Sequence, residues 1–335
     1  MHYSPLIEKI TSFTKKWTGK NLSYAGKTEL VRSVLQGVEC YWLQVFPLPA
    51  NGTKYGAVAW KDLCVPKEEG WLGLRDLGAW NKALLARYLW NIHIKKDSLW
   101  IKWIHTEFIK GKSIWEWSVK SRDSPLFKRL IEIRDEMLGD RQQREVEMQW
   151  EKWYTSKGTV EAYDWFRPKG ERRLWHRFIW KDFIPPKYSF TTWQVLRNRL
   201  PTRDRLGCRD TEIDQRCPLC TTGTKSVDHL FFKYTKTREV WRVIKTWVGM
   251  RRPITTIPSA IKWFLKERSG VTVIRKARSL AIIATISLMW RARNAVIFDG
   301  ATFEPKHLIF QIKKITYATL YSMFPHETVQ EHLGV

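Results

Sequence analysis

The chain has 335 residues, in which 58 Lys and Arg outweigh 33 Asp and Glu and give a formal net charge of +25 at pH 7. A hydrophobic content of 44% is ordinary for a globular protein and excludes a wholly disordered chain. Such a positive charge opposes compaction by self-repulsion and most often serves to attract a polyanion. The composition therefore favours nucleic acid as the partner, with an anionic membrane or an unselected basic surface as the alternatives.

Five cysteines form an odd, unevenly spaced set, which excludes a disulfide framework and is typical of a reducing compartment. The first residues contain no apolar signal core, so we expect a nuclear or cytoplasmic protein rather than a secreted one. The most apolar run, residues 280–290, has about half the length needed to span a bilayer. It predicts a buried helix and no membrane partner.

Apolar residues recur at helical spacing along most of the chain. Ser4-Pro5 predicts a helix start, residues 30–42 predict a second helix, and a third begins near Trp80. The interleaved charges of residues 128–153 predict a solvated helix or helical linker. The segment 160–166 is predicted to be extended.

The second half is also predicted to be helical. One apolar stripe comprises Trp193, Leu196 and Leu200, a short helix starts at Pro201, and residues 240–247 carry another stripe. Three further helices are predicted over 257–268, 274–295 and 306–324, followed by a polar tail that contains His326. The fold class is mostly α: multi-helical, with a small CxxC…H zinc-knuckle-like turn and few short strands. The predicted regions are 1–127 (helical), 128–158 (charged helical linker), 159–250 (the motif-bearing domain) and 251–335 (helical C-terminal region).

Cys217 and Cys220 are separated by two residues, and His229 follows, so together they offer three of the four ligands that structural zinc requires. Water in the fourth position, or Cys208, could complete such a site. The competing interpretation is a turn that holds two small buried thiols and a partly buried histidine. The residues alone leave both interpretations open.

Several segments carry a family resemblance: 189–196 (SFTTWQVL), 200–206 (LPTRDRL), 217–220 (CPLC) and 228–232 (DHLFF). Together they resemble the zinc-binding domain at the C-terminal end of reverse transcriptases of plant LINE-type (non-LTR) retrotransposons. The flanks 22–27, 60–70 and 290–294 are similar to neighbouring regions of the same proteins, so the resemblance covers nearly the whole chain. Residues 1–127 would then correspond to the segment downstream of the polymerase core.

The resemblance implies zinc as cofactor, with Cys217, Cys220 and His229 as ligands. In the family a cysteine usually provides the fourth ligand at the position of Lys233, and a protonated lysine cannot coordinate a metal. The segments before Trp60 and Val160 also look shorter than in relatives. These departures indicate a decayed or spliced copy.

We expect no enzymatic activity. Reverse transcription needs closely placed aspartates that hold two metal ions, and the chain contains no Asp-Asp pair. The sequence also lacks the paired acidic clusters that would indicate an RNase H or an endonuclease. A hydrolytic zinc enzyme is disfavoured because no general base accompanies the cysteine motif.

Basic residues near the motif are the remaining functional signal, because they can neutralise phosphates without reading sequence. The predicted contacts to RNA or DNA are Arg197, Arg199, Arg203, Arg205, Arg209, Lys233, Arg291 and Arg293. The alternative is a solvated face, with Trp193, Phe231 and Phe232 in the core. A reverse transcriptase core supplied in trans is a further expected partner. The competing function is a pseudogene-like remnant or a helical protein-interaction module.

Overall fold

The computed structural model describes residues 4–18, 22–43, 60–121, 123–155, 158–200, 219–220, 227–250, 252–266 and 272–334, without the side chains of 40–42 and 61. Within these ranges the regular elements are helical and no strand occurs, so the mostly α prediction is confirmed. The few short strands that were expected are absent from this part of the chain. The predicted helix at Pro201 and most of the zinc-knuckle-like turn lie outside it.

The chain forms two compact units. The first comprises Met1–Leu22 and Lys27–Glu171, and the second comprises Ser23–Gly26 and Arg172–Val335. Up to residue 171 the α-helices are α1 (Ser4–Thr18), α2 (Tyr24–Leu30), α3 (Gln36–Leu43), α4 (Trp60–Leu63), α5 (Leu77–His93), α6 (Leu99–Trp103), α7 (Pro125–Leu138), α8 (Gln143–Thr155) and α9 (Thr159–Phe166). This part of the chain also contains two π-helical turns, Val31–Leu35 and Ile104–Ile109, and one 3-10 turn, Lys67–Glu69.

Helix α5 is the centre of the first unit. Asp76 caps it, because its Oδ1 accepts a hydrogen bond of 2.7 Å from the backbone N–H of Ala79. Leu85, Leu89 and Ile92 are fully buried against helices α7, α8 and α9. Burial of such side chains contributes about 1.5–3 kcal/mol each to folding, so this helix organises the core.

The charged stretch predicted as a linker supplies part of that core. Most of its charges occupy accessible faces of α7 and α8, while Leu130, Trp150 and Trp153 are buried together with the charged Arg134. The indole rings of Trp115 and Trp150 stack with centroids 4.8 Å apart. Residues 128–155 are therefore structural members of the first unit.

The prediction of an extended segment at 160–166 is wrong, because these residues form helix α9. Their aromatic and β-branched side chains favour a strand locally. Packing overrides that preference, since Ala162 is fully buried and α9 contacts α5 along its length.

The second unit contains further helices: α10 (His176–Ile179), α11 (Pro186–Leu196), α12 (Thr235–Trp247), α13 (Ile257–Lys266), α14 (Thr272–Phe298), α15 (Pro305–Tyr321) and α16 (His326–Leu333). A π-helical turn, His229–Lys233, precedes α12. The polar tail predicted after residue 324 is instead helical, because Val329 and Leu333 of α16 are buried.

Helix α14 is the core of this unit and confirms the predicted buried helix. Its segment 279–290 is buried throughout, and α11 and α15 pack against it. By length and composition α14 could cross a membrane, but 67% of its most apolar window is buried within the structure. A core helix passes the same length test, so the membrane indication is weak.

Candidate metal and nucleic-acid site

Cys220 and His229 lie side by side in the second unit. The Sγ atom of Cys220 is 3.2 Å from Nε2 of His229, and both side chains are half-buried. Ligands of one tetrahedral zinc ion, at bond lengths of roughly 2.3 Å for sulfur and 2.0–2.1 Å for nitrogen, stand about 3.5 Å apart. The observed separation is therefore suitable for a shared metal ion as well as for a thiol–imidazole hydrogen bond.

The π-helical turn His229–Lys233 fixes the position of this histidine. The N–H of Tyr234 donates a hydrogen bond of 3.0 Å to the carbonyl of His229, and this bond closes the turn. Leu230 and Phe231 anchor the turn, since their exposed fractions are 6% and 0%. Single π turns are frequent at functional sites, because the extra residue redirects a side chain.

Among the described residues no group of three or more His, Cys, Asp or Glu side chains could hold a metal ion, and Cys220 and His229 supply two candidate ligands. A thiol and an imidazole are the ligand types that zinc prefers, and they meet at ligand spacing. Cys217, the third predicted ligand, and Cys208, its possible substitute, lie outside the described residues. Lys233 is exposed at the end of the turn.

Cys64 of the first unit shows what an inert thiol looks like in the same protein. Its side chain is 3% exposed and its Sγ lies 3.5 Å from the carbonyl oxygen of Arg75. Burial, together with the charges of Asp76 and Glu39, raises the pKa of this thiol to about 12. A thiol of this kind does not ionise at neutral pH. Cys220 differs because it is half-exposed and contacts an imidazole.

The predicted nucleic-acid contacts have different environments. Arg197 and Arg199 directly follow helix α11, where Arg197 is half-buried and Arg199 is exposed. Arg291 is exposed on α14. Arg203, Arg205 and Arg209 lie outside the described residues.

Arg293 has a packing role. It is 6% exposed, its guanidinium lies 4.8 Å from the centroid of the Trp290 ring, and it donates a hydrogen bond of 2.8 Å to Asn294. A phosphate contact requires an accessible cation, so the buried Arg293 is unsuitable as a nucleic-acid contact.

The aromatic residues near the motif belong mainly to the core. Trp193 and Phe231 are 3% and 0% exposed. The half-buried ring of Phe232 stacks on Trp241, with centroids 5.6 Å apart. This placement agrees with the expected alternative, in which Trp193, Phe231 and Phe232 pack in the core.

Two cations near the site were missed by the sequence-based prediction. Arg242 and Lys245 follow Arg238 on helix α12 at positions i, i+4 and i+7, which share one helix face. That spacing is readable from the sequence. The denser arginine run between residues 197 and 209 was the more conspicuous signal.

The described part of the second unit is thus helical, and in it a half-exposed cysteine contacts the histidine that begins a π turn, a pair of donor types that zinc prefers.

Residues 158–241 match the family described as zinc-binding in reverse transcriptase. The resemblance to the zinc-binding region of plant reverse transcriptases is thereby confirmed. The matched stretch contains Cys217, Cys220, His229 and Lys233.

Two Arabidopsis thaliana proteins are similar to parts of the chain. One, provisionally named as a ribonuclease H protein, is 26% identical over 129 residues, which are 33% of this chain and 21% of that protein. The other, an uncharacterized mitochondrial protein, is 36% identical over 86 residues, which are 25% of this chain and 56% of that protein. The chain thus spans about a fifth of the first relative and just over half of the second.

Proposed function

We propose that the chain is a non-catalytic fragment of a LINE-type retrotransposon reverse transcriptase that binds RNA or DNA without sequence preference. The observation that carries this proposal is the net charge of +25 in a chain whose residues 158–241 match a reverse transcriptase family. Lys and Arg that neutralise phosphates release counterions, and this release drives binding to any sequence.

Exposed cations near the family motif support the proposal. Arg199, Lys233 and Arg291 are solvent-exposed in the second unit, and Arg197 is partly so. Arg203, Arg205 and Arg209, which lie outside the described residues, are further contacts predicted from the sequence. The buried aromatic rings leave electrostatic contact as the main source of affinity.

Cys217, Cys220 and His229 would hold a structural zinc ion, which supplies a cross-link between the cysteine turn and helix α12 when it is bound. The proximity of Cys220 and His229 supports this ligand set. Binding free energy at such a site counts toward folding. With Lys233 in place of the family's fourth ligand, water completes the coordination in this proposal.

The proposal includes no catalysis by the chain itself. A polymerase requires paired aspartates, and the sequence has no Asp-Asp. A reverse transcriptase core would act in trans, and the sparse cysteines favour the nucleus or cytoplasm.

Filter binding of labelled RNA and DNA at increasing salt tests the proposal. We expect affinity for both that falls steeply with salt, and no primer extension or RNA cleavage by the purified chain. Affinity that ignores salt, or any intrinsic polymerase or nuclease activity, would overturn it.

A second candidate is a protein-interaction module or a remnant without a selected function. Large apolar side chains support it, because Leu99, Trp103 and Trp60 in the first unit are 88%, 51% and 45% exposed. Exposed apolar surface of this kind marks partner-binding sites or promotes aggregation. Size-exclusion chromatography with light scattering tests this second candidate. A chain that stays monomeric at high concentration argues against an exposed apolar interface.

A further inference from the structure

A cavity of about 990 Å³ opens beside helix α12 in the second unit. Its volume lies at the upper end of the roughly 300–1,000 Å³ typical of ligand pockets. Four of its lining residues are cations: Lys233 from the π turn, and Arg238, Arg242 and Lys245 from α12. The cavity is therefore large enough for more than a single phosphate group.

No described acidic residue compensates the charge of this cavity. None of its described lining residues is an Asp or Glu, and none of the four cations forms an ion pair with another described residue. By contrast, Lys236 of the same helix donates a hydrogen bond of 3.1 Å to the carbonyl of Phe303. Four clustered cations without an internal partner favour an anionic ligand.

The rest of the cavity wall is mainly apolar, with Thr246 and Thr255 as its polar side chains. It includes the stacked pair Phe232 and Trp241, together with Met250 and Ile254. Trp241 is 4% exposed, and its Nε1 donor has no acceptor among the described residues. A cationic rim above an apolar wall matches a ligand that combines phosphates with flat apolar groups.

We propose that this cavity binds a single-stranded segment of RNA or DNA, with Lys233, Arg238, Arg242 and Lys245 on its phosphates and unpaired bases against the apolar wall. This inference rests on the proposed nucleic-acid binding and assigns it to one site. A single strand fits because its bases are free to leave the stack and enter a concavity. A base-paired duplex keeps its bases stacked, and free polyphosphate has no apolar group that could contact the apolar wall.

Two charge-matched variants test the assignment in the full-length chain. The cavity variant carries Lys233→Gln, Arg238→Gln, Arg242→Gln and Lys245→Gln. The control variant carries Lys262→Gln, Lys266→Gln, Lys306→Gln and Lys314→Gln, which are exposed residues of the same unit outside the cavity. Both variants lose four positive charges, so bulk electrostatics are equal.

Fluorescence anisotropy with labelled single-stranded oligonucleotides at several salt concentrations gives the readout. The cavity variant should lose at least about tenfold in affinity, and its log–log salt slope should fall by about 3, since each phosphate contact on a single strand contributes about 0.7. The control should lose less than about threefold. Unlabelled single strand should compete better than duplex or tripolyphosphate of equal phosphate content.

The outcomes separate this inference from the proposed function. Equal losses in both variants, or none in the cavity variant, would overturn the cavity site while general nucleic-acid binding stands. Competition by tripolyphosphate equal to that by single strand would show an anion site that does not hold bases, and would also overturn it. A wild-type chain that binds no oligonucleotide refutes both proposals. Should the fourfold variant fail to fold by circular dichroism, Arg242→Gln and Arg242→Glu provide the same test, and the charge reversal should weaken binding more.

Discussion

The Sγ atom of Cys220 lies 3.2 Å from Nε2 of His229, although nine positions separate the two residues in the sequence. Buried side chains anchor the π turn His229–Lys233 and thereby hold the imidazole of His229 at this position. The pair is suited to contribute two of the ligands of the proposed zinc site, and the resemblance places Lys233 where the family usually has a cysteine.

The variant Lys233→Cys tests the role of that residue. It should raise zinc affinity at least about tenfold, because a thiolate replaces water in the fourth coordination position. Competition with a chromophoric chelator at pH 7.5 gives the affinities, and metal analysis gives the stoichiometry. His229→Ala is the control and should reduce zinc binding. Equal zinc affinity in wild type and Lys233→Cys would contradict this account of the site.

Removing the guanidinium of Arg134 tests the core of the first unit. Arg134 is 6% exposed, and its Nη1 donates hydrogen bonds of 2.6 Å each to the carbonyls of Ile114 and Trp117. Arg134→Met would leave both carbonyls without this donor, and we expect a loss of about 2–3 kcal/mol in the free energy of unfolding. Urea denaturation measures it.

The matched control is Arg144→Met on the exposed face of α8. It should change stability by less than about 0.5 kcal/mol, as exposed substitutions usually do. If both variants lost the same stability, the Arg134 hydrogen bonds would not be the cause.

The ion pair of Glu69 and Arg167 predicts a dependence of stability on pH. Two hydrogen bonds of 2.6 and 2.9 Å join the groups, whose side chains are 10% and 9% exposed, and the N–H of Gly170 adds a third at 2.7 Å. Burial alone would raise the pKa of Glu69. The hydrogen bonds from Arg167 and Gly170 and the positive charges of Arg167 and Lys169 outweigh burial, so this pKa lies below its usual 4.5.

A depressed pKa in the folded state stabilises the protein above the pKa of the unfolded state, and this stabilisation is lost as pH falls through the folded value. Glu69→Gln should therefore lower the melting temperature at pH 7, and the difference from wild type should shrink below about pH 4.5. Thermal melts between pH 3 and 8 measure it, with Glu145→Gln as an exposed control. A melting-temperature difference between Glu69→Gln and wild type that stays constant down to pH 3 would show that the ion pair is not its cause.

The sequence was sufficient for features that depend on local pattern. The helix built around residues 280–290 was predicted and is present, because apolar periodicity reports directly on a buried helix face. The predicted stripe of Trp193, Leu196 and Leu200 is present only in part, since helix α11 ends at Leu196 and Leu200 lies beyond it. The segment 160–166 was mispredicted because its local preference opposes its tertiary environment.

Other features depend on contacts that no local pattern encodes. Glu69 and Arg167 are 98 positions apart in the sequence, and only the folded first unit brings them together. The cavity beside α12 is similar in this respect, since its cations were readable from the sequence but its concave shape was not. For the proposed metal site, the ligand types were readable from the sequence, and the contact of Cys220 with His229 was seen only in the structure.

The central claim is that the chain binds nucleic acid through phosphate contacts, and the salt dependence of wild-type binding tests it most directly. The dissociation constant of a single-stranded oligonucleotide should be measured by fluorescence anisotropy between 50 and 300 mM salt. Four or more phosphate contacts predict that the logarithm of affinity falls with the logarithm of salt with a slope of about −3 or steeper, for RNA and DNA alike. A slope near zero, or no binding at the lowest salt, would contradict the account.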